Sequence, residues 1–215
     1  MVASIRIDKL AGRQLNYVKV KRDLGILQIH EEFWGKGYMG ITTREFKKRR
    51  KEIMSRMEPN SIGLLSSAPE CLRNNDAEYQ YRQNSDFYYL TGFTEPHAIL
   101  ALVPGREQGE VVLVCREKND EKELWTGYIL GPEAAIDSLK IDDAYPIEDV
   151  DEIISGLIEG KDRIYYSMGR DDHFDRQVMT WVKNLRNNAK VGPPPPSEFQ
   201  VLDHLLHELR LIKSP

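Results

Sequence analysis

Histidine and cysteine, the residues most often found in catalytic and metal-binding sites, are few and scattered in this chain. Of the five histidines, only His204 and His207 are spaced to share one helix face, with Asp203 and Glu208 beside them. This spacing could form a weak metal pair, but no H-E-x-x-H or paired-cysteine motif accompanies it. A polar helix flank is the simpler interpretation. Glycine-rich phosphate loops and a G-x-S-x-G nucleophile motif are also absent from the sequence. We therefore predict no catalytic residue and no metal ligand within this chain.

Charged runs are the next candidates for chemistry. Acidic side chains cluster at 142–143, 148–152 and 171–172, and basic side chains cluster at 44–51. Carboxylates at the start of a helix are stabilised by the helix dipole, so we interpret the acidic runs as N-terminal helix charges. The basic run accompanies an apolar stripe at helical spacing, which favours a solvated helix face. Neither kind of run predicts a catalytic site.

The segment 76–96 is rich in aromatic residues that carry a polar tip. It contains four tyrosines and two phenylalanines, mixed with Arg82, Gln83, Asn84 and Asp86. Such aromatics beside a guanidinium suit an interface or a pocket wall. A structural role is equally consistent, with alternate aromatics in the core while Arg82 and Asp86 tie down a loop. The pattern alone leaves both interpretations open.

Composition and charge narrow the class of protein. Hydrophobic residues make up 40% and charged residues 30% of the 215-residue chain, as in soluble globular proteins. The net charge is −4, and because residues 1–38 contain seven basic and four acidic residues, the acidic excess lies beyond them. An acidic body is a poor match for a phosphate backbone, so we predict no nucleic-acid partner.

No apolar run approaches the roughly 18 residues of a membrane span, and we predict no membrane association. Cys71 and Cys115 lack metal-type or disulfide spacing, which favours a reducing, cytoplasmic compartment.

Periodicity and turn residues predict a single α/β domain with a mixed β-sheet flanked by helices. The predicted strands are 61–66, 87–90, 98–103, 111–115 and 163–166, and 123–126 is a further segment that could pair. Helices are predicted over 42–57, 132–139, 149–158 and 171–185. Gly105 and Gly109 bracket a hairpin loop, and 192–196 is a stiff polyproline connector. A final amphipathic helix carries Phe199, Leu202, Leu205, Leu206, Leu209 and Ile212.

Both ends of the chain differ from this central pattern. Residues 1–38 follow no sustained period, and we predict that they are an extension outside a domain at 42–198. Met39 is favoured as the true start because the codons of Gly35-Lys36-Gly37 resemble a bacterial ribosome-binding site; a genuine extension or a weak presequence are the alternatives. Residues 199–215 are predicted to be a linker helix. Ser214 and Pro215 are residue types that open a further helix, so we expect a domain boundary there, ahead of an absent domain.

The aromatic segment carries a family resemblance. Tyr79-Gln-Tyr-Arg-Gln-Asn-Ser-Asp-Phe-Tyr-Tyr-Leu-Thr-Gly-Phe-Thr-Glu-Pro96 resembles the hallmark of the N-terminal domain of aminopeptidase P (Xaa-Pro aminopeptidase). Three further segments resemble the same family in the same order: Arg44-Glu-Phe-Lys-Lys-Arg-Arg50, Glu123-Leu-Trp-Thr-Gly-Tyr128 with Leu130-Gly131, and His207-Glu-Leu-Arg-Leu-Ile-Lys-Ser-Pro215. The resemblance spans residues 42–215 and leaves residues 1–38 without a counterpart.

The resemblance implies a creatinase-like N-terminal-domain fold and a non-catalytic role. In this family the domain precedes a pita-bread catalytic domain that holds two divalent metals, usually manganese, and hydrolyses the bond before a penultimate proline. The implied two manganese ions therefore lie outside this chain, in its own missing or separately encoded catalytic domain. A homo-oligomer, either a dimer or a tetramer, is also implied, with proline-containing peptides as substrates of the full enzyme.

The resemblance also implies roles for individual residues. Trp125 resembles the tryptophan that, in oligomeric aminopeptidase P, reaches the active-site mouth of a neighbouring subunit. The structural alternative is that Trp125 ends an edge strand and packs inward. Structural or interface roles are implied for Tyr81, Arg82, Asn84, Asp86, Tyr89 and Arg210.

Two alternative functions stay open at this point. One is a stand-alone creatinase-like interaction module without peptidase activity, because a fold of this type does not by itself imply catalysis. The other is the N-terminal domain of a prolidase, although the sequence from Tyr81 to Asp86 is closer to aminopeptidase P. If the chain ends at a domain boundary, we also expect an exposed apolar patch near the terminal helix.

Overall fold

The computed structural model describes residues 41–188 and 192–213, which contain a six-stranded mixed β-sheet with helices on both faces. The strands are β1 (Ser61–Ser66), β4 (Ile99–Leu102), β5 (Val111–Cys115), β6 (Asp143–Pro146), β7 (Arg163–Tyr166) and β8 (Glu198–Val201), and their order across the sheet is β6-β5-β4-β1-β7-β8. β4 pairs with both β1 and β5 in the antiparallel direction, whereas β6, β7 and β8 join in parallel. A small separate hairpin comprises β2 (Leu72–Asn74) and β3 (Ala77–Glu78). The α/β prediction with a mixed sheet is confirmed.

The helices are arranged along the chain between these strands. They are α1 (Thr43–Met54), α2 (Ser85–Thr91), α3 (Asp120–Thr126), α4 (Gly131–Leu139), α5 (Val150–Ile158), α6 (Asp172–Asn188) and α7 (Asp203–Leu211), with a 3-10 turn at Ile147–Asp149. Within the described residues, none of these helices is both long enough and apolar enough to cross a bilayer.

Each central strand is apolar on both sides because helices cover both faces of the sheet. On the first face, Leu100 and Leu113 pack in one core with residues of α1, α2, α4 and α7. On the second face, Ile99 and Val112 pack with residues of α5 and α6, including the fully buried Trp181. Successive strand residues alternate between these two cores, as the pleat of a strand requires. The predicted strands 61–66, 111–115 and 163–166 have the observed bounds.

The predicted strand 87–90 is wrong, because these residues lie in α2. The aromatic residues of this segment favour a strand, but polar residues at its ends favour a helix. Asn84 accepts hydrogen bonds through Oδ1 from the amides of Asp86 (2.8 Å) and Phe87 (3.2 Å), which caps the first turn. Gly92 ends the helix in the left-handed conformation, with φ of 70°. Local capping therefore outweighs the strand propensity of the side chains.

Other element boundaries also differ from the prediction. The segment 123–126 is not a strand but part of α3, where Asn119 Oδ1 accepts a hydrogen bond from Lys122 N at 3.0 Å. The final helix starts at Asp203, and Phe199 lies in β8 instead. The pattern did not predict β2, β3, β6 or β8, which are short and lack a run of buried apolar residues. The predictions for residues 1–38, Met39, Ser214 and Pro215 fall outside the described residues.

The charged runs are only partly as predicted. Acidic residues at 148–152 and 171–172 do lie at the starts of helices. Asp142 and Asp143 instead lie at the start of β6, where Asp142 Oδ2 accepts from Val111 N (3.0 Å) and Asp143 pairs with Arg106 (2.7 Å). The basic run is not wholly a solvated face, because Arg49 and Arg50 are buried. Long-range partners explain this difference, and sequence spacing does not show them.

Arg50 holds two helix ends together from within the core. Its side chain is 1% exposed; Nη1 donates to the carbonyl of Leu90 (2.9 Å), and Nη2 donates to those of Leu139 (3.0 Å) and Lys140 (2.8 Å). These carbonyls lie at the C-termini of α2 and α4, where a helix leaves acceptors unsatisfied and carries partial negative charge. Burial lowers the pKa of Arg50 to about 10, partly opposed by the charge of Asp142.

Replacing Arg50 with methionine should destabilise the fold because it leaves the buried carbonyls of Leu90 and Leu139 without their donor, along with the half-buried carbonyl of Lys140. Each unpaired buried polar group costs about 1–3 kcal/mol, so we expect the free energy of unfolding to fall by about 2 kcal/mol or more. Urea denaturation followed by circular dichroism measures this change. The control Lys48→Met, on the exposed side of the same helix, should change it by less than about 0.5 kcal/mol. Similar losses in both variants would contradict the capping role.

Candidate functional site

Asp86, in the first turn of α2, is a buried carboxylate that pairs with the C-terminal helix α7. Its Oδ1 accepts a hydrogen bond from Arg210 of α7, and its Oδ2 accepts one from Arg170 Nη1 at 3.3 Å. Arg170 Nε in turn lies 3.3 Å from Asp203 Oδ2, and Ser167 Oγ donates to Asp203 Oδ1 at 2.7 Å. This ion cluster therefore joins α2, the loop after β7 and both ends of α7.

Tyr89, three residues further along α2, extends the same contact with α7. Its hydroxyl donates to the carbonyl of Leu209 at 3.3 Å, and burial raises its pKa. The guanidinium carbon of Arg49 lies 4.3 Å from the ring centroid and that of Arg210 lies 5.9 Å away, within the range of cation–π attraction. The structure thus brings together three of the residues selected from the sequence: Asp86, Tyr89 and Arg210. At the C-terminal end of this docked helix, where an exposed apolar patch was expected, Leu211 and Ile212 are 81% and 84% exposed.

The other residues selected from the sequence lie elsewhere. Asn84 caps α2 as described above. The Tyr81 hydroxyl donates to the carbonyl of Ala68 at 3.0 Å, and burial raises its pKa to about 12. Arg82 is exposed and takes part in none of the ion pairs formed by the described residues. Asn84 and Tyr81 therefore form hydrogen bonds within the domain, while an interface role for Arg82 stays a prediction.

A second buried carboxylate, Glu95, was not selected from the sequence. Its Oε1 accepts a hydrogen bond from Leu130 N at 2.8 Å, and its Oε2 accepts one from Arg116 Nη2 at 3.1 Å. Its carbonyl accepts from Gln83 Nε2 at 2.9 Å. Burial raises the pKa of Glu95, and the amide of Leu130 and the charge of Arg116 oppose that shift. The signal in the sequence was a charged residue four positions before the strongly apolar strand β4, inside the aromatic hallmark segment.

Trp125 lies on α3 and is 91% exposed, and its neighbour Leu124 is 84% exposed. None of the residues of α3 is buried. The helix starts at the Asn119 cap and ends at Gly127, which has φ of 80°. The alternative in which Trp125 packs inward from an edge strand is therefore wrong. The side chain presents its large apolar surface away from the core of its own chain.

The described residues do not fit a metal ion. Within residues 41–188 and 192–213, no three His, Cys, Asp or Glu side chains come together as a possible metal site. His204 and His207 are exposed on α7. Of their acidic neighbours, Asp203 contacts Ser167 and Arg170, while Glu208 pairs with Arg56 at 3.0 Å. The arrangement fits a polar helix flank, and the two manganese ions implied by the resemblance have no ligand set here.

Comparison with known protein families assigns this chain to a family. The family model described as "Aminopeptidase P, N-terminal domain" matches residues 46–165, more than half of the chain. The chain belongs to the aminopeptidase P family. The matched part begins inside α1 and ends in β7, so it includes Trp125, Asp86 and Glu95. The family resemblance found in the sequence is confirmed.

Similar full-length proteins are peptidases. Xaa-Pro aminopeptidase of Escherichia coli (strain K12) is 35% identical over 176 residues, covering 81% of this chain and 40% of that protein. Mitochondrial intermediate cleaving peptidase 55 of Arabidopsis thaliana is 29% identical over 219 residues, covering 100% of this chain and 42% of that protein. This second alignment includes residues 1–38. The chain spans about two fifths of the length of the curated relatives it matches.

Solved structures agree with the sequence relatives. The structure of Pseudomonas aeruginosa aminopeptidase PepP superposes with a TM-score of 0.80 at 53% identity, covering 81% of this chain and 39% of that chain. Proline aminopeptidase P II from Yersinia pestis superposes with a TM-score of 0.77 at 38% identity, with 81% and 40% covered. The aminopeptidase P fold is therefore shared over most of this chain.

Replacing Asp86 with asparagine should loosen α7. The amide removes the negative charge that faces Arg210, while Arg170 keeps its ion pair with Asp203. Hydrogen bonds to charged groups contribute about 1.5–3 kcal/mol. Because Arg170 and Arg210 can turn into solvent, we expect a loss of about 1–3 kcal/mol in the stability of the docked helix. Hydrogen–deuterium exchange should rise in residues 203–211 more than in β4 and β5.

The matched control for this prediction is Glu208→Gln on the exposed side of α7. Glu208 pairs only at the surface, with a side chain that is 65% exposed. Surface ion pairs contribute about 0–1 kcal/mol, so exchange of α7 should barely change. Unchanged exchange of α7 in Asp86→Asn would show that Asp86 does not hold the helix.

Proposed function

We propose that this chain serves as the non-catalytic N-terminal domain of a manganese-dependent Xaa-Pro aminopeptidase. The observation that carries this proposal is the 91% exposed Trp125 within a family-matched domain. Its relatives carry the names of Xaa-Pro aminopeptidases and intermediate cleaving peptidases, which favours this role over that of a prolidase. A cytoplasmic location stays a prediction, since one of these relatives is mitochondrial by name.

The geometry supports substrate access rather than chemistry as the task of this domain. The charged groups buried in the described residues are engaged with backbone groups or with opposite charges of the fold itself; they are Arg49, Arg50, Asp86 and Glu95. Arg50 also lines an open pocket, and the residues around this pocket include no serine, cysteine or histidine. Removal of the residue before a proline would then depend on a catalytic domain that holds the two manganese ions.

Trp125 is the residue best suited to form an apolar wall against the substrate. An indole offers a flat, rigid apolar surface that packs well against a proline ring or a short peptide. Within its own subunit Trp125 has no core to fill, so the surface is available to a neighbouring subunit. The role requires an oligomer, in which one subunit's N-terminal domain approaches the active-site mouth of another.

Exposed apolar residues are consistent with such an oligomer. Leu72 and Tyr79 in and beside the β2–β3 hairpin, and Leu124 and Trp125 on α3, are all more than half exposed. Clustered exposed apolar residues on a folded domain mark interaction sites. We propose that these surfaces contact other copies of the protein in a dimer or tetramer. The same surfaces would also serve a stand-alone interaction module. Measurements of peptidase activity distinguish that module from the N-terminal domain of an aminopeptidase.

A chimera tests the proposed activity. This chain would replace the matched 39% of Pseudomonas aeruginosa PepP, and Xaa-Pro peptide hydrolysis would be measured with Mn²⁺ added. We expect the isolated chain to be inactive and the chimera to be active and oligomeric by light scattering. The unmatched part of PepP alone is the control. Turnover by the isolated chain that survives chelation and repurification would overturn the proposal, and an inactive but folded chimera would favour the interaction module.

Trp125→Ala in that chimera tests the substrate wall. We expect kcat/KM for Xaa-Pro peptides to fall about 10- to 100-fold, equivalent to about 1.4–2.7 kcal/mol of lost transition-state stabilisation. Stability to urea should change by less than about 0.5 kcal/mol because the side chain is exposed. Leu124→Ala, on the same helix, is the matched control. Equal effects of the two variants, or no effect of Trp125→Ala, would count against a specific role for the indole.

A further inference from the structure

Helix α3 presents Trp125 without being held by packing. It is seven residues long, and none of its residues is buried. Isolated helices of this length are marginal in water. If Trp125 is to act at a fixed place, something other than a hydrophobic face must attach this segment to the domain.

The internal bonds of the segment shape it but do not attach it. Asn119 caps the first turn, and Glu123 Oε1 accepts from Ile129 N at 2.9 Å. Lys118 lies 5.8 Å from the ring centroid of Tyr128. All of these partners belong to the segment itself. Of these residues, Tyr128 also packs against the core of the first sheet face, near the C-terminal end of the segment.

Glu95 attaches both ends of the segment with one carboxylate. Its Oε2 accepts from Arg116, which directly follows β5, and its Oε1 accepts from the amide of Leu130, which directly precedes α4. Ile129 and Leu130 are also buried, so the C-terminal end has apolar support as well. At the N-terminal end, by contrast, Arg116 supplies the attachment through its charge. Holding both ends of a loop at one point also limits the conformations open to the residues between them.

The backbone of Glu95 is also held in place by hydrogen bonds. Its carbonyl accepts from Gln83 Nε2 at 2.9 Å, and Gln83 Oε1 accepts from Ala68 N at 2.8 Å. Ala68 follows β1, the strand next to β4 in the sheet. The carboxylate is therefore connected through Gln83 to the centre of the fold.

We propose that Glu95 is the positioning residue for Trp125, fixing the segment between Arg116 and Leu130 on the sheet. The role of Trp125 as a substrate wall, which Glu95 would support, rests on the proposed function. Glu95 does not touch a substrate in this arrangement; it acts through the segment that it holds. Loss of its charge should free α3 while leaving the sheet intact.

Glu95→Gln tests this because glutamine keeps the shape but not the two acceptors. Its amide has one acceptor oxygen and one donor nitrogen, so either Arg116 or the amide of Leu130 faces a donor. Losing a charge-assisted bond should raise hydrogen–deuterium exchange across residues 117–130 by about tenfold or more, with a smaller change in β4 and β5. Glu117→Gln is the matched control, since it removes the same charge from an exposed position on the segment.

Arg116→Gln is a second variant that breaks the same contact from the other side. It should raise exchange over the same residues, and it keeps the test usable should Glu95→Gln fail to fold. Unchanged exchange across 117–130 in a folded variant would overturn the proposal. A rise of the same size throughout the domain would also overturn it, because it would indicate general destabilisation.

Kinetics in the PepP chimera separate this proposal from the proposed function. We expect Glu95→Gln to lower kcat/KM in the presence of Trp125 and to have no further effect in a Trp125→Ala background, since coupled residues are not additive. Faster exchange with no kinetic effect of either variant would overturn the role of Trp125 but support the attachment by Glu95. Additive kinetic effects would overturn the positioning role.

Discussion

The fold depends on satisfying buried charges with partners that are distant in the sequence. Arg50 is the central case, because its guanidinium reaches the C-terminal carbonyls of α2 and α4 from within α1. A charged group buried without partners would be strongly unfavourable. The position of each of these helices on the first face of the sheet is therefore tied to the other two. Apolar packing around Ile53 and Phe87 completes a layer whose geometry the arginine fixes.

Asp86 and Glu95 use the same physical principle at the edges of that layer. Each is a buried carboxylate that engages an arginine from another element, Arg210 for Asp86 and Arg116 for Glu95. The first holds the C-terminal helix and the second holds the segment that carries Trp125. Both belong to the aromatic hallmark segment, so this stretch connects the sheet to the C-terminal helix and to the exposed segment that carries Trp125.

This arrangement separates a rigid body from surfaces that are free to meet other molecules. Trp125, Leu124, Leu211 and Ile212 lie outside the two cores and add little to the stability of the chain. Large exposed apolar residues on a well-packed body are typical of interaction sites. A domain that contributes to the access path of an aminopeptidase, rather than to its metal chemistry, is consistent with this division.

Sequence by itself determined the α/β class, the family and the bounds of the strands 61–66, 111–115 and 163–166, because strands buried on both faces form continuous apolar runs. It also singled out Asp86, Tyr89 and Arg210 from their motifs. Only the tertiary structure decided that β6 and β8 add to the two edges of the sheet and that Arg50 is buried. Edge strands need little apolar sequence of their own, since they gain hydrogen bonds from a neighbour already in place. Likewise, the importance of Glu95 depends on Arg116 and Leu130, which are distant in sequence and meet it only once β4, β5 and α4 have packed together.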